Sequence, residues 1–136
     1  MNLVEGLLKA DESKAKEYDK GTYMSHRLAK ILEKDKPVEI QIQEVDVKVI
    51  KNIQQYSMKK DGTMDRNKLY DSNLMLCVEG VVDPDLKDEN LQKHFGASNA
   101  RELAEILFRF EAAYIADAIS NLSLMKHEDD EETIKN

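Results

Sequence analysis

The sequence predicts a mainly α-helical fold, a compact helical domain of about five helices with a short N-terminal β-strand or hairpin. Three observations carry that expectation. Apolar residues recur at helical spacing in several separated stretches, most clearly at Tyr70, Leu74, Cys77, Val78 and Val81. One short segment, Val38-Glu-Ile40-Gln-Ile42-Gln, alternates strictly between β-branched and polar residues, the period of a half-buried strand. The run from Val78 to Leu103 is dense in helix stop and start signals. The 136 residues divide into a flexible segment at 1–20, a single helical domain at 21–125 and a disordered acidic tail at 126–136.

At the N-terminus, Leu3, Val4, Leu7 and Leu8 have helical spacing and predict one or two turns that dock on a surface. Residues 9–20 are almost wholly Lys, Glu, Asp, Ser and Ala. They offer too little apolar area to offset the entropy of ordering, so a connector or solvated helix is expected. Met24, Leu28, Ile31 and Leu32 predict a short amphipathic helix within Tyr23–Glu33, with Ser25 near its start. The alternating strand at 38–43 needs a partner for its backbone groups, and the best candidate lies around Tyr18 to Ser25, forming a hairpin.

Val49, Ile50, Ile53 and Tyr56 return to the helical period, predicting a helix from Asp46 to Met58 with Asp46 as its cap. Lys60-Asp-Gly-Thr63 reads as a turn, and Asp65 after it as the cap of the next helix. The stripe between Asp65 and Val81 predicts the central core helix, stopped by Asp83-Pro84. Asp85 and Asp88 are acceptors suited to start a short helix from Asp88 to Phe95, and Gly96 lets the chain leave it through a left-handed residue. Asn99 with Glu102 resembles a capping box for the last helical region, Asn99 to Leu124. That region carries two stripes out of phase: Leu103, Ile106, Leu107, Phe110 and Tyr114, then Phe108, Ile115, Ile119 and Leu122. Either the helix breaks between Phe108 and Glu111, or it buries one stripe and offers the other to a partner.

Chemistry is sparse. A net charge of −7 with basic and acidic residues interspersed argues against nucleic-acid binding, which needs clustered Lys and Arg. No run is long enough for a bilayer span, and no basic leader precedes an apolar block, so neither membrane insertion nor secretion is expected. The single cysteine, Cys77, suits a reducing compartment and falls on an apolar stripe, which predicts a packed thiol. Asp83, Asp85 and Asp88 fail the calcium-loop pattern, having Lys87 and Asp88 at the fifth and sixth positions and His94 at the twelfth, and read as caps. His26, His94 and His127 lack second ligands at zinc spacing. No nucleophile elbow or phosphate loop occurs, so no enzyme, metal or cofactor is expected. Around Phe108-Arg-Phe110-Glu, either both rings enter the core from a kinked segment or one is an exposed interface anchor.

The ordered series Gly62…Asp65, Val78-Glu-Gly-Val-Val-Asp-Pro-Asp-Leu-Lys-Asp, Leu91…His94-Phe-Gly-Ala, Asn99-Ala-Arg-Glu-Leu and Ile119-Ser-Asn-Leu-Ser resembles the XkdN-like phage tail assembly chaperones. Weaker similarity at Arg27-Leu-Ala-Lys30, the strand at Val38 to Ile42 and Ile134-Lys-Asn extends the resemblance over most of the chain. The family commonly has a Pro-Gly break between its last two helices, where this chain has Arg109-Phe110, with the glutamate after it kept as Glu111. The stripes change phase at the same place, so a bend is expected to survive without the proline. The resemblance implies a non-enzymatic protein of the host bacterial cytoplasm, from an active phage or a prophage element, not expected in the mature virion. It implies a protein that binds the tape-measure protein and keeps it soluble during tail tube assembly, with the tail tube protein as a second candidate partner. The alternative is a small helical structural component of the tail. A longer frameshifted product is common among such genes, and self-association is compatible with the role. The candidate partner-binding residues are Phe108, Phe110, Tyr114, Ile115 and Ile119, around the change of stripe phase.

Overall fold

In the computed structural model, which describes residues 2–125, two short helices come first: Leu3–Lys9 (α1) and Glu12–Lys16 (α2). Asn2 accepts a hydrogen bond from the Glu5 amide and Asp11 from the Ser13 amide, so both helices have satisfied starts, yet neither buries a residue. The predicted tail at 126–136, with His127, lies outside the described residues.

The alternating segment Val38–Gln43 (β2) is the middle strand of a three-stranded antiparallel sheet, paired with Lys20–Ser25 (β1) on one side and Val81–Asp83 (β3) on the other. Ile40 and Ile42 point into the core while Glu39 and Gln41 face water, as the alternation requires. The hairpin register runs from Lys20 opposite Gln43 to Ser25 opposite Val38. Tyr23 and Met24 therefore belong to a strand, and the helix expected from Tyr23 begins only at His26 (His26–Ile31, α3). Ser25 serves both elements, ending β1 and capping α3 through a bond from the Leu28 amide to its Oγ. Val81 also differs from expectation. The core helix stops at Gly80, and the next three residues add an edge strand to β2, with a register irregularity at Gln41/Ile42.

The helices after the hairpin are Val47–Tyr56 (α4), Arg66–Gly80 (α5), Glu89–His94 (α6), Ala100–Phe108 (α7) and Glu111–Ser120 (α8), followed by a π-helical turn at Asn121–Met125. Eight α-helices among the described residues exceed the five expected, because α1 and α2 are separate and the last region splits. The caps follow the sequence signals: Asp46, Asp65, Asp88 and Asn99 each accept from an amide of the following first turn. The capping box is modified, since Glu102 reaches the amide of Ser98 rather than that of Asn99. Gly62 and Gly96 take the left-handed conformation at their turns, with φ of 87° and 73°.

Helix α5 is the hub, packed against α8, α7 and α4. Burial therefore extends around it: Ser72, Leu74, Leu76, Cys77 and Gly80 are all buried, more than a single stripe provides. Its approach to α8 is close because Gly80 has no side chain. A Cβ there would stand 2.6 Å from Ile119 Cδ1. The π-helical turn packs on the hairpin and the loop after it, with Leu122 against Gly21 and Ser123 Oγ accepting from the Val45 amide.

Candidate partner-binding surface

The phase change between the two apolar stripes is a helix break. Arg109 adopts φ 50° and ψ −124°, a region that side-chain-bearing residues rarely occupy, and this turns the chain from α7 into α8. With the helix broken, residues of both stripes enter one core. Leu103, Leu107 and Phe108 pack from α7, and Ala112, Ile115, Ala116 and Ile119 from α8.

The break separates the five candidate residues. Phe108, Ile115 and Ile119 are fully buried, each part of the core. Phe110 and Tyr114 stand outside, 88% and 65% exposed. Of the two readings of Phe108-Arg-Phe110, one ring is therefore core and the other surface. Periodicity along an unbroken helix groups Phe110 and Tyr114 with the buried residues; only the turn at Arg109 rotates them away.

Beside Phe110 lies an open cleft of about 470 Å³, lined by Arg27, Tyr70, Glu105, Ile106 and Arg109. Its composition, two arginines among aromatic and aliphatic side chains, is that of interface anchors. Arg27 spans the wall: Nη2 donates to the Ile106 carbonyl at 3.4 Å, while Nε is buried without a partner among the described residues. Partial burial, then Glu105 and Asp71, push the Tyr70 phenol up from its ordinary value, so it remains a protonated donor at neutral pH.

A latch invisible in the sequence holds this corner. Glu111, the first residue of α8, accepts from Ser25 Oγ at 2.5 Å through one oxygen, and from the His26 amide at 2.9 Å and the Arg27 amide at 3.3 Å through the other. Its carboxylate satisfies the free amides at the start of α3 and is favoured there by the helix dipole. One side chain thus fixes α3, which carries Arg27, against the α7–α8 corner, which carries Phe110. The partners are more than eighty positions apart, so no local pattern announces them.

Two further apolar surfaces are open. A groove of about 510 Å³ between α4, α5 and α7 is floored by Val49, Ile53, Met75, Val78 and Ala100. On α1, Leu3, Val4, Leu7 and Leu8 are all between 66% and 83% exposed. Half-exposed Tyr56 at the end of α4, Met58 and Met64 in the turn and Leu69 in α5 add apolar area around the α4–α5 junction.

Conventional reactive chemistry does not gather at any of these surfaces. The Cys77 thiol is buried, donates to the Ala112 carbonyl at 3.5 Å, and is pushed up to about 12 by burial. Asp85 and Asp88 are engaged as turn and cap acceptors for the Lys87 and Leu91 amides. Among the described residues no group of His, Cys, Asp and Glu is arranged to hold a metal ion, and no helix is long and apolar enough to cross a membrane.

No curated protein and no solved structure matches the chain. Residues 4–135 match the family model described as phage XkdN-like tail assembly chaperone protein.

Proposed function

We propose, since the chain belongs to the phage XkdN-like tail assembly chaperone proteins, that it binds the tape-measure protein and keeps it soluble while the tail tube assembles. The observation that carries the reading to particular residues is the exposed corner at Phe110 and Tyr114, beside the Arg27–Arg109 cleft. Long coiled-coil-like helices carry apolar seams that aggregate when uncovered. Two exposed aromatic rings with arginines nearby can cover such a seam while the arginines pair with the acidic residues that border it. The net charge of −7 then keeps the complex dispersed. The work is done in the host cytoplasm, and the protein leaves before the particle is complete.

Coexpression with a long helical fragment of the tape-measure protein tests this. Wild-type protein should hold the fragment in the soluble fraction and co-purify with it. Phe110→Ser combined with Tyr114→Ser should lose both effects while remaining folded. Failure of the wild-type protein to co-purify with the fragment overturns the proposal. Mass spectrometry of purified particles separates this role from that of a structural tail component, which would be present in stoichiometric amount.

A further inference from the structure

We propose that α1 is a docking arm whose seat is the α4–α5–α7 groove of a second copy of this chain. The arm's shape suggests an intermolecular contact. Leu3 and Leu7, like Val4 and Leu8, are four residues apart and form one continuous apolar face on a seven-residue helix. A helix of that length is not stable alone in water, so its face requires a surface to lie on. None of its residues is buried, so its own groove is not its seat in this structure.

The groove has the complementary form. Val49, Ile53, Met75, Val78 and Ala100 make an apolar floor, with Glu79 and Arg101 also on its lining. At 100° per residue Glu5 flanks one side of the α1 stripe, suited to meet Arg101, and Gly6 flanks the other, where the missing side chain lets a wall approach closely. An amphipathic helix laid in such a groove is a recurrent recognition mode, read through anchors spaced as Leu3, Val4, Leu7 and Leu8 are.

Reach and charge also fit. Residues 10–19 separate α1 from β1, and an extended chain of that length spans up to about 33 Å, shortened here by the five residues of α2. A domain of this size has a radius of gyration of about 13 Å, so the helix reaches past its own surface to a neighbour. The first twenty residues carry four lysines and five acidic side chains. They are nearly neutral, so their approach to an acidic copy is not opposed. Reciprocal exchange of two arms closes a dimer, whereas one-way donation continues head to tail.

The test is the mass of the full chain in solution, by sedimentation over a wide concentration range. Wild-type protein should rise above monomer mass with concentration. Leu3→Asp combined with Leu7→Asp, which disables the arm, should stay monomeric, and so should Val49→Asp, which disables the groove. An equimolar mixture of the two variants should regain a one-to-one dimer and nothing larger, because only one intact arm and one intact groove remain in each pair. Should Val49→Asp lose its helical circular dichroism, a synthetic peptide of residues 2–10 titrated into the arm variant takes its place. Its binding should move the Met75 and Val78 methyl resonances. Several results overturn the proposal: a monomeric wild-type chain at every concentration, undiminished association of the arm variant, or a peptide that leaves those methyls unmoved. Methyl shifts that depend on the arm in a strictly monomeric protein would place α1 in its own groove and overturn it equally. Binding to the tape-measure fragment is measured separately, so either proposal can fail alone.

Discussion

Replacing Gly80 with alanine probes the closest approach in the core. The added methyl would lie 2.6, 2.8 and 2.9 Å from Cδ1, Cγ2 and Cγ1 of Ile119, where carbon atoms pack at about 3.5–4.0 Å. Ile119 is fully buried, and because Cγ1 and Cγ2 branch from the same Cβ, rotation about χ1 exchanges one for the other without clearing the space. Relief requires α8 to move from α5. Overpacking of this kind costs about 1–3 kcal/mol. Removing a helical glycine returns about 0.5–1 kcal/mol at most, and less at the last residue of a helix. The expected net loss is about 1–2 kcal/mol, a fall of several degrees in Tm. Urea denaturation followed by circular dichroism measures it. Ile119→Ala alone should cost about 2–5 kcal/mol. The double variant should be less destabilised than the sum by about 1–2 kcal/mol, since the new methyl occupies space the isoleucine vacated. A Gly80→Ala protein as stable as wild type, or strictly additive effects, would refute the reasoning.

Four other outcomes are expected. Phe108→Ser should unfold the domain or cost about 3–5 kcal/mol, whereas Phe110→Ser should change stability by no more than about 0.5 kcal/mol; equal losses in thermal melts would remove Phe110 as a surface anchor. Glu111→Ala should cost about 2–3 kcal/mol, because Ser25 Oγ and two amides at the start of α3 lose their acceptor, and Glu111→Gln should recover only part of it, since its amide nitrogen accepts nothing. Arg109→Gly should raise the urea midpoint by relieving a conformation that costs about 1–3 kcal/mol, while weakening capture of the tape-measure fragment by removing a cleft cation; a lowered midpoint would count against strain there. Cys77 should resist thiol reagents in the folded protein at mildly alkaline pH and react on unfolding. Its folded pKa of about 12 lies above the ordinary 9.0, so its stabilising contribution is complete below about pH 9 and is lost as pH rises toward 12. Cys77→Ala should flatten that alkaline limb in pH-dependent melts, and an unchanged limb would show that another group sets it.

Local signals determined much of this protein. The caps at Asp46, Asp65, Asp88 and Asn99, the glycine turns at Gly62 and Gly96, and the faces of Val38–Gln43 were all legible. Each rests on interactions within a few residues, where spacing and side-chain type suffice. The ordered series from Val78 to Leu103 also carried the family. Tertiary structure alone decided what depends on distant neighbours. Val81 ends an apolar helical stripe, yet with Val82 and Asp83 it becomes a strand because β2 offers an open edge. Glu111 has the composition of any first-turn acid, and its partners at Ser25 and Arg27 are set by how α3 meets α8. Which of Phe108, Phe110, Tyr114, Ile115 and Ile119 are exposed turned on the backbone conformation at Arg109. The change of stripe phase offered a break between Phe108 and Glu111 as one of two readings. Nothing in the identity of Arg109 marks it as the residue at positive φ, because packing around it, rather than its own preference, holds it there.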